Sequence, residues 1–190
     1  ALILRSHIHI GFRHALPALP FVILGAGFAI ERWGSPRWAR LATAACLTWL
    51  AASSLRIYPQ GLSYFNEWVG GPENGWKYLA DSNLDWGQNL PELARYAAQR
   101  GAPPINLYYF GADVLGHYAP PEVIVHRAGP WGTEWEKELR LEPAPGEYAI
   151  SVNALLGYFF SPAYRDYFGY FRARRPDARA GYSIYIYRVQ

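Results

Sequence analysis

The sequence has no methionine and only one cysteine in 190 residues. A single cysteine excludes a disulfide within the chain, and Cys46 stands inside an apolar run, where we expect it to act as a small packing residue. Because methionine is absent and the chain opens on Ala1 without a recognisable signal peptide, we expect the sequence to be a piece of a longer protein.

Familiar chemical motifs are also missing. The sequence contains no glycine-rich dinucleotide fingerprint, no P-loop, no Gly-x-Ser-x-Gly elbow and no Cys/His set with zinc spacing. We interpret His7, His9 and His14 as lone histidines near a membrane surface, in preference to a metal site. The 18 basic residues are spread along the chain, which predicts no nucleic-acid partner. No cofactor is expected within this chain, and the need for a divalent cation stays open.

Two uncharged runs occupy the first third of the sequence, at residues 15–30 and 41–55. Each approaches the ~20 residues that cross a bilayer if the flanking Trp and Arg residues lie at the interface. We predict two transmembrane helices, at about 14–34 and 38–57, in a membrane domain of residues 1–56. A buried helical hairpin in a soluble protein is the alternative.

The turn between these runs carries Arg32, Arg37 and Arg40. Short loops rich in Lys and Arg stay in the cytoplasm, so the first helix is predicted to run inward and the second outward. Residues 57–190 then form an extracytoplasmic domain. The expected location is the inner or plasma membrane, as an integral membrane protein.

Proline marks the start of the first run. Pro17 and Pro20 are tolerated in a first helical turn, where the missing N–H is not needed. Arg13 and His14 would then stand at the N-terminal end of the helix dipole and can hold a phosphate. The preferred alternative from the residues alone is an interfacial pair that faces lipid headgroups.

The remaining residues alternate between strand and helix patterns, which predicts a small α/β domain with a mainly parallel sheet behind the membrane α-helical hairpin. Strands are predicted at 76–80, 105–110, 123–126, 148–152 and 182–189. Helices are predicted at 57–68, 89–100 and 163–174, with a helical turn at 112–118, whereas 131–141 stays ambiguous between helix and loop.

Residues 81–88, Asp-Ser-Asn-Leu-Asp-Trp-Gly-Gln, form the candidate site. They join the first predicted strand to the clearest helix, and ligands of parallel sheets bind at the carboxyl ends of strands. Asp81 and Asp85 can coordinate a cation or bind sugar hydroxyls. The preferred alternative is that they bond the backbone of their own loop. Asn83 and Gln88 complete the candidate set.

Four strings resemble bacterial glycosyltransferase family 39, which is related to the dolichyl-phosphate-mannose protein mannosyltransferases. They are residues 11–21 (GFRHALPALPF), 58–72 (YPQGLSYFNEWVGGP), 81–88 (DSNLDWGQ) and 181–188 (GYSIYIYR). The 81–88 string is specific, whereas the Arg-His-x-Leu-Pro pattern alone is weak.

This resemblance implies a multi-pass enzyme that moves a sugar from a polyprenyl-phosphate donor to a lipid, glycan or protein acceptor on the outer face. The family's catalytic base is an acidic residue in the first extracytoplasmic loop, which lies outside this chain. Arg13, with His14, carries over as a contact to the donor phosphate. The 81–88 loop is a candidate for acceptor handling or for docking against the membrane domain.

The implied partners are the lipid-linked sugar donor, membrane lipids and the remaining transmembrane helices. Two further classes stay open. One is a non-catalytic, membrane-anchored module that binds a glycan or a protein outside the cell. The other is a structural subunit of a membrane complex.

Overall fold

The computed structural model describes residues 16–33, 36–100, 104–109, 123–127, 143–157 and 166–190. The chain divides into two compact units, Ala1–Gly61 and Leu62–Gln190. The sequence-based division, between residues 56 and 57, falls at the last helical residues of the first unit.

Two helices form the described part of the first unit: α1 spans Leu19–Trp33 and α2 spans Arg37–Ile57. Helix α1 begins after Pro17 and has Pro20 in its first turn, as the proline pattern predicts. Most large apolar side chains of both helices are exposed, among them Phe21 at 75%. Cys46 is exposed as well, so the packing role predicted for it is wrong.

The prediction of a membrane-spanning hairpin is wrong. Helix α1 has 15 residues, fewer than the ~20 that a bilayer requires. Helix α2 has 21 residues but includes Arg37, Arg40 and Arg56 as well as several hydroxyl side chains. Among the helices that the structure describes, none is both long enough and apolar enough to cross a membrane.

The stretch that joins α2 to the next helix consists of short 3-10 turns rather than the helix and strand predicted there. The turns are Gly61–Ser63, Glu67–Val69, Gly75–Lys77 and Asp81–Asn83. Pro59 disfavours helical backbone at the residue before it, which ends α2. The N–H groups of Tyr78 and Leu79 both donate to the Gly75 carbonyl, which curls the predicted strand into a turn.

Five strands form one mixed sheet in the second unit, in the spatial order β2-β1-β3-β5-β4. Strand β1 pairs parallel with both β2 and β3, whereas β5 is antiparallel to β3 and to β4. The strands are β1 Ile105–Tyr109, β2 Val123–Arg127, β3 Gly146–Ser151, β4 Ala178–Ala180 and β5 Ile184–Val189.

The prediction of a mainly parallel sheet is therefore wrong, because two of the four pairings are antiparallel. The missed feature is the hairpin of β4 and β5, joined by three residues that begin with Gly181. Gly181 has a φ of 59°, the left-handed backbone typical of such short connections. A three-residue loop can join only antiparallel neighbours.

Other predicted elements agree with the structure within a few residues. Strands β1, β2, β3 and β5 and helix α3, Leu90–Arg100, lie where the patterns indicate. Two short helices follow, α4 at Val152–Leu155 and α5 at Gly169–Arg172; the latter is the described helical part of the segment predicted at 163–174. The predictions at 112–118 and 131–141 lie outside the described residues.

Both faces of the sheet are covered, because alternate residues of each central strand point to opposite sides. On one face, Leu90, Leu93 and Ala97 of α3 belong to the same core as Leu107 of β1 and Ile186 of β5. The amphipathic spacing of α3 places these three side chains on one stripe. This packing anchors the start of α3, and with it the loop that precedes the helix.

The other face is aromatic. Phe168 is fully buried and meets Tyr108 edge-on at a centroid distance of 5.1 Å and Tyr167 at 4.7 Å. Phe171 packs on Tyr148 at 5.2 Å and on Tyr187 at 5.1 Å. The edge-to-face contacts of Phe168 add to the stabilisation from burial alone.

Substituting Phe168→Ala should lower the free energy of unfolding by about 3–5 kcal/mol, because the cavity replaces a fully buried ring. Urea unfolding followed by near-UV circular dichroism measures the change. Tyr78→Ala is the control, since Tyr78 is 61% exposed and should change the free energy by less than about 1 kcal/mol. Equal effects of the two substitutions would contradict this core assignment.

Candidate functional site

The 81–88 loop lies at the carboxyl ends of β1 and β3. Gly87 fits directly against the hydroxyl of Tyr109, the last residue of β1. Asn153, two residues after the end of β3, bonds to the loop backbone at Asp81 and Asp85. The predicted strand before the loop does not exist, yet the loop still occupies the edge of the sheet where ligands of parallel strands bind.

The side chain of Asn153 bonds both ends of the turn formed by residues 81–85. Its Oδ1 accepts the Asp81 N–H at 2.7 Å, and its Nδ2 donates to the Asp85 carbonyl at 3.5 Å. Asn153 is fully buried on α4. A helix that packs on the sheet therefore sets the position of this turn.

Gln88 and Ser63 hold the centre of the loop. Gln88 Nε2 donates to the Leu84 carbonyl at 2.9 Å and to Ser63 Oγ at 3.2 Å. The Ser63 hydroxyl in turn donates to the Leu84 carbonyl at 3.2 Å. Gln88 Oε1 accepts the Trp86 N–H at 2.8 Å, so one side chain bonds two backbone groups of the loop and the Ser63 hydroxyl. Leu84 is buried under these bonds.

Two more side chains bond backbone within the loop. Asn83 Nδ2 donates to the Ala80 carbonyl at 3.1 Å, and the Trp86 indole N–H donates to the Ser82 carbonyl at 3.0 Å. Asx side chains commonly form turns in this way. Asn83 and Gln88 therefore act as structural supports of the loop, and neither amide is directed only at solvent.

Asp85 is the most deeply buried acidic group of the loop, with 0% of its surface exposed. Its Oδ1 accepts the Gly87 N–H at 2.9 Å. Its Oδ2 is buried and makes no hydrogen bond with any of the residues that the structure describes. The nearby Ser183 hydroxyl has one proton, which goes to Asn89 Oδ1 at 2.8 Å.

Burial raises the pKa of Asp85 to about 7, because desolvation disfavours the charged form. The hydrogen bond from Gly87 and the proximity of Ser183 lower the pKa and offset only part of that effect. Asp85 is thus a carboxyl group that gains or loses its proton near neutral pH. Because it is inaccessible, it is a structural group rather than a direct ligand of a cation or a sugar.

Asp81 has the opposite environment. Asp81 is half-buried, and its carboxylate forms no hydrogen bond or ion pair with the described residues. Its φ of 58° makes Asp81 the only non-glycine residue with left-handed backbone in the described chain. Asp is one of the few residues that enter this conformation routinely. Of the predicted set, Asp81 alone keeps an acidic group available at the surface.

The sequence analysis missed the supports that come from other parts of the chain. Ser63, Asn153 and Ser183 are all fully buried and bond the loop or its flank, yet they lie 18 or more residues from it. No spacing rule connects them to the loop. Trp86 was inside the quoted string, but its exposure could be known only from the fold.

Arg13 and His14, the predicted donor-phosphate contacts, are outside the described residues, as are His7, His9 and His117. Within the described ranges, no group of three or more His, Cys, Asp or Glu side chains is arranged to hold a metal ion.

Comparison with known proteins finds no match: no family model, no curated protein and no solved structure matches the chain. The resemblance to glycosyltransferase family 39 therefore stays a hypothesis that depends on the four quoted strings.

Gly87→Ala should destabilise the second unit by about 2–4 kcal/mol, because a Cβ there overlaps the Tyr109 hydroxyl and because the φ of 92° strains any side chain. Thermal unfolding measures the effect. Gly71→Ala introduces backbone strain without a steric overlap, because φ is 74° and no atom lies within 4 Å of the added Cβ. We expect it to lower the free energy of unfolding by about 1 kcal/mol. If Gly71→Ala cost as much as Gly87→Ala, the close packing on Tyr109 would not be the cause.

Asp85 should make the protein less stable as pH rises from about 4 to about 7. Over this window the unfolded chain has lost the Asp85 proton while the folded chain retains it, so folding takes up a proton and is disfavoured by rising pH. In Asp85→Asn this contribution, of the order of a few kcal/mol, disappears. Urea unfolding at several pH values should therefore give a flatter profile for Asp85→Asn than for the natural chain.

Asp166→Asn is the matched control, because the Asp166 side chain is 95% exposed. Its pH profile should follow that of the natural chain. A profile for Asp85→Asn that also follows the natural chain would mean that Asp85 is ionised in the folded protein throughout this range.

Proposed function

We propose that the chain is the C-terminal part of a glycosyltransferase that takes a sugar from a polyprenyl-phosphate donor and transfers it to a lipid, glycan or protein acceptor on the outer face of the membrane. The observation that carries the proposal is the 81–88 string. It is the most specific of the four resembling strings, and it forms one hydrogen-bonded loop at the carboxyl ends of β1 and β3, where ligands of parallel strands bind in other α/β proteins.

The proposal assigns binding, rather than bond-making, to the second unit. Asp85 is fully buried and Asp81 stands without a second accessible carboxylate in the loop, so no acid and base pair is available there. This agrees with a catalytic base that lies upstream of Ala1, as the resemblance implies.

In the proposed reaction, the upstream base removes the proton of an acceptor hydroxyl. The resulting oxygen bonds the anomeric carbon of the donor sugar while the bond from that carbon to the phosphate oxygen breaks. Polyprenyl phosphate then leaves with the electron pair. A guanidinium at Arg13, helped by His14, would stabilise the phosphate as its charge increases.

The proposed location of the second unit is outside the cytoplasm, because the polyprenyl-phosphate sugar of this class of reaction is used on the outer face. The partners under this proposal are the lipid-linked donor, membrane lipids and the transmembrane helices encoded upstream. The proposal does not depend on α1 or α2 crossing the bilayer.

The test uses the full-length protein in proteoliposomes with a radiolabelled polyprenyl-phosphate sugar. Arg13→Ala should lower kcat/KM for the donor by at least about tenfold, since a charge-assisted contact to phosphate contributes about 1.5–3 kcal/mol. Arg13→Lys should retain part of the activity. Arg37→Ala, at an exposed position of α2, is the matched control and should leave kcat/KM unchanged.

An unchanged kcat/KM in a folded Arg13→Ala protein would eliminate the donor contact. Absence of any sugar transfer by the full-length protein would eliminate the enzyme itself. The result would then favour a non-catalytic binding module or a structural subunit.

A further inference from the structure

The 81–88 loop presents one large aromatic side chain to solvent. Trp86 is 51% exposed, while its neighbours Asp85 and Gly87 are buried. Two hydrogen bonds hold it: the indole N–H donates to the Ser82 carbonyl at 3.0 Å, and the backbone N–H donates to Gln88 Oε1 at 2.8 Å. The ring is therefore fixed in orientation although half of its surface lies in water.

Asp81 is fixed in the same turn. Its backbone N–H bonds buried Asn153, and its carbonyl accepts the N–H groups of Leu84 and Asp85, both at 3.1 Å. Its partly exposed carboxylate forms no bond with the described residues. The loop thus supports an exposed indole and a free carboxylate on one short, heavily bonded turn.

A fixed, half-exposed indole and a carboxylate without a partner among the described residues, both on one turn, suit a pyranose ring. The C–H face of a sugar packs on an aromatic face, and its hydroxyl groups donate to a carboxylate, which is an acceptor with two oxygens. Burial of Asp85 leaves the loop with one accessible carboxylate and one ring. A cage for an organic cation requires several aromatic faces, so it fits this loop less well.

The charge of the loop argues against a lipid surface as the occupant. Residues 81–88 contain two acidic side chains and no basic one. Anionic headgroups attract clusters of Lys and Arg, and this loop offers none. An exposed Trp at a membrane interface is therefore the weaker interpretation here.

We propose that Trp86 and Asp81 form a carbohydrate-binding subsite, with Trp86 stacking on a pyranose ring and Asp81 accepting hydrogen bonds from the hydroxyl groups of that ring. Asn153, Gln88 and Ser63 are positioning residues that hold the turn and reduce the entropy that binding would otherwise lose. The subsite itself is independent of the function proposed above. Only the identification of the bound sugar as the acceptor rests on that function.

The test measures binding by the full-length protein with saturation-transfer NMR. The probes are methyl α-mannopyranoside, methyl β-glucopyranoside and their trisaccharide homologues. Trp86→Ala should weaken binding by at least about tenfold, and Asp81→Asn by about three- to tenfold. Asn tolerates the left-handed backbone of Asp81, so the loop should keep its shape.

Two controls separate stacking from folding. Trp86→Phe keeps an aromatic face and should retain most of the binding, although it loses the bond to Ser82. Trp68→Ala removes an indole that is 96% exposed and should leave binding unchanged. Loss of binding in Trp86→Ala but not in Trp68→Ala, with both proteins folded, supports the subsite.

Three results would overturn the subsite: no probe bound by the natural protein, equal binding by Trp86→Ala, or Trp86-dependent binding of choline or of anionic lipid vesicles instead of sugars. Sugar transfer is measured on the same preparations. Trp86-dependent binding without transfer would keep the subsite and reject the enzyme. Sugar transfer without Trp86-dependent binding would support the enzyme and reject the subsite.

Discussion

The side chain of Asn153 is the constraint on which the candidate site depends. It bonds the N–H of Asp81 and the carbonyl of Asp85, and it is carried by the helix that directly follows β3. Both backbone groups would need another partner without it, because an unpaired polar group in a buried place is costly. Together with the packing of Gly87 on Tyr109, these two bonds link the loop to the sheet.

The buried carboxyl group of Asp85, at the centre of the loop, lowers the stability of the fold when it is ionised. Asp85 has one oxygen bonded to Gly87 and one oxygen without a hydrogen bond from the described residues, in a place that raises its pKa to about 7. Because the Asp85 side chain has no exposed surface, water that would otherwise stabilise the charge is excluded. The contribution of Asp85 to the stability of the fold therefore falls as pH rises from about 4 to about 7 and changes little above that.

Local patterns were sufficient for part of the fold. The stripe of Leu90, Leu93 and Ala97 predicted α3, and the β-branched and aromatic runs at 105–109 and 184–189 predicted two central strands. They failed between 57 and 80, where 3-10 turns around Pro59 and Gly75 replaced a helix and a strand. They also failed for the membrane hairpin, because α1 is too short and α2 contains too many charged residues.

By itself, the sequence determined that residues 81–88 are a polar loop before an amphipathic helix, and that this string resembles a glycosyltransferase family. Only the tertiary structure decided what each loop side chain does. Asp85 is buried and the amides of Asn83 and Gln88 are hydrogen-bonded, whereas Trp86 is exposed and the half-buried Asp81 has a carboxylate without a partner among the described residues. The physical reason is that burial and pairing are set by groups distant in sequence: Ser63, Tyr109 and Asn153 close the loop from three other segments, and no local pattern contains them.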